Sequence, residues 1–163
     1  MKRSLTILDA TVDHEFARTG GTMFDALRDY IRAFFRIAVG FLFACHGAAS
    51  LFGVLGGAAE GGGAVPVGTW PVWYAALIQL VTGILVAFGL LVVPASLLAS
   101  GSMAYAYFVV HQKDGLLPIL NQGEPAAMFS LAFLLIATLG TSPYSVDYVI
   151  ASRRTPRNAD MTR

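Results

Sequence analysis

The fold of this chain is decided by residues 61–112, which read GGGAVPVGTWPVWYAALIQLVTGILVAFGLLVVPASLLASGSMAYAYFVVHQ and contain no Asp, Glu, Lys or Arg. A transmembrane helix needs about 20 apolar residues to cross the roughly 30 Å hydrocarbon core of a bilayer. A run of 52 uncharged residues is too long for one crossing and suits two. Pro94 can open a second helix near the middle of this run, but it cannot continue the first. We therefore predict two spans, 70–92 and 94–112, joined by almost no loop.

The overall composition indicates a membrane protein. Hydrophobic residues make up 56% of the 163 residues and charged residues 13%, whereas a typical soluble domain is about 25% charged. So few charges could not cover the surface of a soluble core, and the length allows one domain. Cys45 is the only cysteine, which excludes an intrachain disulfide and a cysteine-ligated metal or iron–sulfur centre. We predict an all-α integral membrane protein.

Two further spans flank the central pair, at about 33–55 and 126–140, and complete a predicted four-transmembrane-helix bundle. The Gly-rich loop 56–68 and the loop 113–125 join them to the central pair. The second loop is expected to fold back onto the membrane surface, because it contains four apolar residues: Leu116, Leu117, Ile119 and Leu120.

The two ends of the chain are predicted to lie outside the bilayer. Residues 1–21 are polar and end in Gly20-Gly21, which predicts a mobile cytoplasmic tail. From Thr22 onward, an apolar stripe is formed by Met23, Leu27, Ile31 and Phe34, and a basic stripe by Arg28, Arg32 and Arg36. The two stripes predict an N-terminal amphipathic helix at headgroup level, although they also fit the cytoplasmic end of the first span. Ser142 and Pro143 are placed to start a short cytoplasmic helix, 143–151. The membrane domain thus covers 22–151, and a disordered basic tail, 152–163, follows it.

The basic residues predict the orientation. Six Lys and Arg residues precede or begin the first span and four follow the last helix, whereas the two loops on the other side contain Lys113 alone. Because positive residues are retained on the cytoplasmic side, both termini are predicted to be cytoplasmic in the cell (inner or plasma) membrane. Membrane lipid and other membrane or redox protein subunits are the expected partners, and nucleic acid is not.

Polar residues inside the spans are candidates for a functional seam, because polar groups in hydrocarbon cost free energy unless they are paired. His46 and Ser50 share a face of the first span, and Gln79 and Thr82 share a face of the second. The third span carries a polar stripe made of Ser96, Ser100, Tyr107 and His111. With cytoplasmic termini, His46 lies in the outer half of the membrane and His111 near the outer surface.

Three interpretations of this seam compete. The first is hydrogen bonding between helices, which contributes about 1 kcal/mol per contact in membrane proteins. The second is a quinone or lipid site formed by His46, Gln79, Tyr107 and His111, with quinone as the bound cofactor and no covalently attached one. The third makes His46 and His111 axial haem ligands, but their predicted depths differ by on the order of 10 Å, which fits one iron poorly.

Four other polar residues are predicted to be structural: Arg36, Asn121, Glu124 and Asp147. Arg36 lies near the inner interface, where its long side chain can reach water, and Asp147 on the same side is a candidate ion-pair partner. No catalytic residue and no metal ligand is predicted, because the chain shows no nucleophile triad, carboxylate pair or metal-ligand cluster.

Motifs in four places, in order, resemble the DoxX family of small integral membrane proteins over about residues 32–148. Several residues of the predicted first span and of the loop after it resemble the first span of the family: Arg36, Phe43, His46-Gly47, Leu51-Phe52-Gly53 and Gly56-Gly57. Its third span and outer loop resemble residues 103–108 (MAYAYF) with His111, Pro118, Asn121, Gly123 and Glu124. The end of its fourth span resembles Gly140, Tyr144-Ser145 and Asp147.

The resemblance implies a four-span bundle that is similar to the small membrane subunit of thiosulfate:quinone oxidoreductase. Three positions depart from the family pattern: Ser50 stands where Lys is frequent, and Gln79 and Ser102 stand where Glu is frequent. The positive and the negative side chains are thus lost together, which avoids an unpaired buried charge that would cost several kcal/mol. The same loss removes groups that are suited to proton transfer. We therefore expect an auxiliary subunit of a quinone-linked membrane redox complex that is not catalytic alone. The alternative is a purely structural subunit of a larger respiratory or other membrane complex.

Overall fold

The computed structural model describes the main chain of residues 3–58 and 62–154 and the side chains of residues 23–58 and 62–153. These residues form no strand and five α-helices: α1 (Arg3–Phe52), α2 (Val72–Phe88), α3 (Val92–Tyr105), α4 (Glu124–Leu139) and α5 (Val146–Arg154). A π-helical turn, Ala106–Val110, and a 3-10 turn, His111–Asp114, continue α3. The prediction of an all-α fold is confirmed.

Helix α1 begins at Arg3, although the sequence predicted a tail over 1–21 and a separate helix from Thr22. Gly20-Gly21 does not end the helix, because glycine in a helix interior costs only about 1 kcal/mol relative to alanine. The exposed fraction of the arginine side chains falls from 68% at Arg28 to 28% at Arg32, and the Arg36 residue is 3% exposed. The basic stripe therefore runs into the bundle instead of staying at its surface.

A tight turn joins α2 to α3, although both helices shift from their predicted bounds. Helix α2 ends at Phe88 because Gly89 adopts a left-handed conformation (φ 76°) and its N–H donates back to the Val86 carbonyl at 3.0 Å. Helix α3 begins at Val92, so that Pro94 lies in its first turn. A proline is tolerated there because the first N–H groups of a helix have no partner within it.

Two apolar segments among the described residues are long enough to cross a membrane: Met23–Phe52, with 30 residues, and Val92–Asp114, with 23. The apolar helices Val72–Phe88 and Glu124–Leu139 are shorter, with 17 and 16 residues. At 1.5 Å per residue, each of the shorter helices is roughly 25 Å long. Helices of membrane-spanning length are therefore present in α1 and in the extended α3.

Helix α5 begins at Val146, three residues after the predicted start at Pro143. Ser145 caps it in place of Ser142, because the Ser145 Oγ accepts the N–H of Tyr148 at 3.2 Å. The helix reaches Arg154, and the rest of the predicted basic tail, 155–163, lies outside the described residues, as do residues 1 and 2.

The core lies where α1, α3 and α4 meet the end of α2. Phe43 of α1 and Phe133 of α4 are fully buried, with ring centroids 4.6 Å apart. The remaining fully buried or nearly buried members of this cluster are apolar: Val86, Val92, Ala95, Ala99, Met103 and Ile136. The core is therefore a single cluster of apolar side chains, in which Phe43 of α1 packs with residues of α2, α3 and α4.

Glycines bring α1 and α2 into backbone contact. A Cβ atom at Gly40 would lie 2.7 Å from the Ala87 nitrogen, and one at Gly83 would lie 2.6 Å from the Ala44 nitrogen. A Cβ atom at Gly47 would lie 2.7 Å from the carbonyl oxygen of Ala76. Such small-residue faces let membrane helices approach closely. The face of α1 with Gly40 and Ala44 thus packs against α2.

We predict that Gly47→Ala lowers the stability of the bundle by about 1–3 kcal/mol, because the added methyl group meets main-chain atoms that cannot move aside. Gly101→Ala is the matched control, since a Cβ atom there has nothing within 4 Å. The control should be neutral or slightly stabilising, because alanine favours a helix interior. Thermal unfolding in mild detergent, followed by circular dichroism, measures both; equal melting temperatures would contradict the close α1–α2 contact.

Candidate functional sites at the two ends of the bundle

Arg36 binds main-chain carbonyl groups at one end of the bundle. Its Nη1 donates to the Val86 carbonyl and, at 2.7 Å, to the Ala87 carbonyl, both in the last turn of α2. Its Nη2 donates to the Tyr144 carbonyl at 2.8 Å. The last carbonyls of a helix lack partners within it and form the negative end of its dipole. The guanidinium group therefore stabilises the end of α2. We call this end, with Arg32, Arg36 and residues 86–92 and 139–147, the arginine end.

Asp147 binds the other side of the same turn. Its carboxylate oxygens accept the N–H groups of Leu91 and Val92 at 2.9 Å each, and its own N–H donates to the Gly89 carbonyl at 2.9 Å. A carboxylate at a helix N-terminus is favoured by the unpaired N–H groups and by the helix dipole. Asp147 therefore caps α3 from a distant part of the chain.

These contacts correct two expectations. Arg36 does not reach out to water, because its donors find carbonyl groups inside the bundle. Among the described side chains, Arg36 and Asp147 form no direct ion pair within 4 Å. They instead bracket the α2–α3 turn, with the cation at the end of α2 and the anion at the start of α3.

Tyr144 covers the arginine end from outside the helices. Its ring stacks on Tyr30 of α1, with centroids 4.9 Å apart. Hydrogen bonding with the Tyr30 side chain, followed by desolvation, raises the pKa of Tyr144 above its usual range. The Tyr144 hydroxyl group is therefore protonated, and uncharged, at neutral pH.

The opposite end of the bundle, residues 107–123, is closed by Tyr107, His111 and Asn121, and we call it the loop end. The Tyr107 hydroxyl donates to the Leu116 carbonyl, and the His111 Nδ1 lies 3.1 Å from the Asn121 carbonyl oxygen. The Asn121 side chain donates to the Gly115 carbonyl at 2.7 Å and accepts the N–H of residue 123 at 2.8 Å. These bonds hold the loop between α3 and α4 against the end of α3.

Gly123 is required where the loop end is most crowded. A Cβ atom at this position would lie 2.7 Å from the Asn121 Oδ1, 2.9 Å from the Tyr107 ring and 3.0 Å from the His111 Cβ. Glu124 follows it as the first residue of α4, where its negative charge suits the positive end of the helix dipole. Tyr107, His111, Asn121 and Gly123 thus form one cluster.

The other two residues of the predicted quinone site lie in different surroundings. His46 is exposed on α1, and its ring meets Phe129 of α4 edge-on with centroids 5.5 Å apart. Gln79 is half-buried on α2, and its amide nitrogen lies 4.0 Å from the Met103 sulfur. The structure therefore brings Tyr107 and His111 together, while His46 contacts Phe129 and Gln79 lies beside Met103.

The hydroxyl groups of Ser50, Thr82 and Ser100 in the predicted seam bond to the main chain, whereas the buried Ser96 Oγ has no hydrogen-bond partner among the described residues. Ser100 of α3 donates to the Ser130 carbonyl of α4 at 2.9 Å, which is a bond between helices. Ser50 and Thr82 donate instead to carbonyl groups of their own helices, four residues earlier. Within the part of the chain that the structure describes, no group of three or more His, Cys, Asp or Glu side chains is placed to hold a metal ion.

Sequence reasoning missed an aromatic groove between α2 and α3. It has a volume of about 310 Å³, and Trp70, Tyr74 and Tyr105 lie in its wall beside Ser102 and Gly101. The available signal was the Tyr105-Ala106-Tyr107 pair of tyrosines, since two tyrosines spaced two apart must face different sides of a helix.

The described residues define a helical protein with two segments long and apolar enough to cross a membrane. The sequence pattern of the DoxX family matches residues 31–112, which is half of the chain. The chain belongs to the DoxX family, as its motifs predicted. It is also similar to an uncharacterized protein of Haemophilus influenzae (strain Rd), with 36% identity over 123 residues that cover 74% of this chain and 90% of that protein. No solved structure matches the chain.

We predict that Asp147→Asn destabilises the bundle by about 1–2 kcal/mol, because an amide can replace only one of the two charged acceptor oxygens at the start of α3. Asp25→Asn is the control, since Asp25 is exposed and pairs with Arg28 at the surface, where an ion pair contributes about 0–1 kcal/mol. Melting temperatures in detergent compare the two. A similar effect of both substitutions would argue against the capping role of Asp147.

Proposed function

We propose that this chain is a four-span integral membrane subunit with both termini in the cytoplasm, and that it serves as an accessory subunit beside a larger membrane complex. Helices α2 and α4, at roughly 25 Å, nearly match a hydrocarbon core of about 30 Å. Trp70 and Trp73 lie at the start of α2, the residue type found at membrane surfaces. Four exposed apolar residues at the loop end also suit a membrane surface: Leu116, Leu117, Ile119 and Leu120.

The exposure of His46 is the observation that carries the accessory role. His46 lies inside the apolar segment Met23–Phe52, yet its side chain is on the outside of the bundle beside Phe129. An imidazole that faces hydrocarbon costs free energy unless it is paired. A second protein that offers a hydrogen-bond partner removes this cost. Leu42, one turn earlier, is 54% exposed and extends the same face.

The polar side chains at the two ends support a structural role. Arg36 and Asp147 satisfy main-chain groups of the α2–α3 turn, and Tyr107 and His111 hold the α3–α4 loop. Groups that are engaged in this way set the shape of the bundle. A scaffold that presents a fixed apolar face with one exposed histidine fits an accessory subunit, and a quinone-linked redox complex is the partner class that the family resemblance implies.

The aromatic groove between α2 and α3 favours a second candidate function, a quinone site. Trp70, Tyr74 and Tyr105 provide ring faces and N–H or O–H donors, and a volume of about 310 Å³ is at the lower end of the range for small-molecule sites. The groove therefore fits a quinone ring better than the predicted set of four residues, in which Tyr107 and His111 lie together but His46 and Gln79 have other neighbours.

Labelling of single cysteines tests the four-span arrangement. In a Cys45→Ser background, we place Val67→Cys or Asp114→Cys near the loop end and Asp25→Cys or Ser152→Cys near the arginine end. A membrane-impermeant maleimide should label positions 67 and 114 in intact cells, and positions 25 and 152 only after permeabilisation. Labelling of positions 25 and 152 from opposite sides would overturn the arrangement.

Purification from native membranes in mild detergent tests the accessory role and the quinone site together. Wild type, His46→Leu and Gly101→Leu are compared for partner proteins by mass spectrometry and for quinone by solvent extraction. We expect His46→Leu to lose the partner and keep the quinone. Gly101→Leu places a side chain in the groove and should lose the quinone and keep the partner.

The two proposals fail separately in this experiment. A wild-type chain that purifies without a partner protein would overturn the accessory role. A wild-type chain without quinone, or a quinone content that Gly101→Leu leaves unchanged, would overturn the groove as its site. Each variant is first checked for an unchanged melting temperature.

A further inference from the structure

A small cavity at the arginine end is lined by three residues with unpaired buried atoms. It lies between α1, the end of α4 and residues 140–142, and has a volume of about 10 Å³. The unpaired atoms are the Nε of Arg32, the Nε of Arg36 and the Oγ of Ser142. Arg36 and Ser142 are each 3% exposed. Buried polar atoms in proteins nearly always have a partner, so three of them around one cavity point to a ligand.

The three unpaired atoms suit an oxygen that accepts hydrogen bonds. A guanidinium group is a donor only, and a serine hydroxyl can also donate. The Nη atoms of both arginines are already engaged: those of Arg36 bind carbonyls of α2 and of Tyr144, and those of Arg32 bind the Leu139 carbonyl and approach Asp29 at 3.6 Å. The Nε atoms therefore remain for a ligand. A space of about 10 Å³ accommodates one oxygen-sized group.

Nearby carboxylates do not occupy this position. Asp147 accepts the N–H groups of Leu91 and Val92, and Asp29 lies beside the Nη1 of Arg32. These two acids offset the formal charges of the arginines, so that the cavity selects for an acceptor oxygen more than for net charge. A phosphate group, which carries several strong acceptor oxygens, can insert one of them and leave the others at the mouth.

An apolar groove lies beside the cavity, along the face between α1 and α4. Its volume is about 410 Å³, and Phe35 lines both the cavity and the groove. Farther along, Val39, Phe129 and Leu135 line its wall. A donor-lined cavity at the end of the bundle, beside an apolar groove along two helices, matches a molecule with a phosphate head and a hydrocarbon chain.

We propose that the arginine end binds a membrane phospholipid, with one phosphate oxygen against Arg32, Arg36 and Ser142 and one acyl chain in the α1–α4 groove. This site rests on the proposed membrane placement, but it is independent of the accessory role and of the quinone groove. Gly101→Leu, which changes only the α2–α3 groove, therefore leaves phospholipid binding unchanged even if both of those proposals fail.

Native mass spectrometry of the detergent-purified full chain measures lipid binding directly. The probes are phosphatidylglycerol, diacylglycerol with the same acyl chains, and inorganic phosphate. We expect phosphatidylglycerol to bind at least about tenfold more tightly than diacylglycerol, because charge-assisted hydrogen bonds are lost with the phosphate. Inorganic phosphate should not displace the lipid, because it lacks the chain that fills the groove.

Four variants locate the site. Arg32→Gln should weaken phosphatidylglycerol binding about tenfold and Ser142→Ala severalfold, and Ala132→Phe, which fills the groove, should weaken it as well. Arg28→Gln is the matched control, because it removes the same charge from an exposed position one turn earlier and should bind as wild type does. If Arg32→Gln does not fold, Ser142→Ala and Ala132→Phe still test the head and chain positions.

Several results would overturn the proposal. Equal binding of diacylglycerol would show a groove without a phosphate site, and equal losses in Arg28→Gln and Arg32→Gln would show only surface charge. Displacement by inorganic phosphate, together with no effect of Ala132→Phe, would assign the cavity to free phosphate instead of lipid.

Discussion

The unpaired main-chain groups of the α2–α3 turn are the constraint on which the rest of this bundle depends. A helix end leaves N–H and C=O groups without partners, and an apolar environment has no water to pair them. Arg36 binds the carbonyls at the end of α2, and Asp147 binds the N–H groups at the start of α3. Arg36 belongs to α1 and Asp147 to α5. The hydrogen bonds that satisfy the α2–α3 turn therefore also hold α1 and α5 against this turn.

The close α1–α2 contact makes this arrangement possible. Gly40 and Gly83 allow the two backbones to touch, which brings Arg36, one turn before Gly40, level with the last turn of α2. Gly89 contributes on the other side, where a Cβ atom would lie 2.6 Å from the Ser145 Cβ and 2.8 Å from the Arg36 Nη1. The glycines therefore set the spacing between α1 and α2, and at this spacing the buried guanidinium group of Arg36 reaches the carbonyl groups of α2.

The order of the helices and the approximate bounds of α2 to α5 could be predicted from the sequence, because they follow from local signals such as the uncharged run 61–112 and Pro94. The length of α1 could not, because it begins at Arg3 and runs through Gly20-Gly21. The partners of Arg36 could not, since main-chain carbonyls distant in sequence leave no side-chain pattern. The cap of α5 was misplaced by three residues, because Ser142 and Ser145 look alike until the backbone between them is known.

For the polar residues within the spans, too, the sequence predicted the helix face but not the partners. Helical spacing placed Tyr107 and His111 on one face correctly, but their partners depend on how the loop with Leu116 and Asn121 folds back. Helix faces alone do not determine how one helix is rotated against another. For this reason, the sequence grouped His46 and Gln79 with Tyr107 and His111, whereas their observed neighbours are Phe129 and Met103.

The π-helical turn Ala106–Val110 has a consequence for the direction of the residues that follow it. Such a turn holds roughly one residue more than an α-helical turn, and one residue corresponds to about 100° around the helix axis. The extra residue rotates the positions after Val110 about the helix axis, so that their side chains face a direction that a continuous α-helix would not give them. Moving the widened turn along the helix by one residue would change the direction of the His111 ring and of the loop that it anchors, while the turns of α3 before it kept their register.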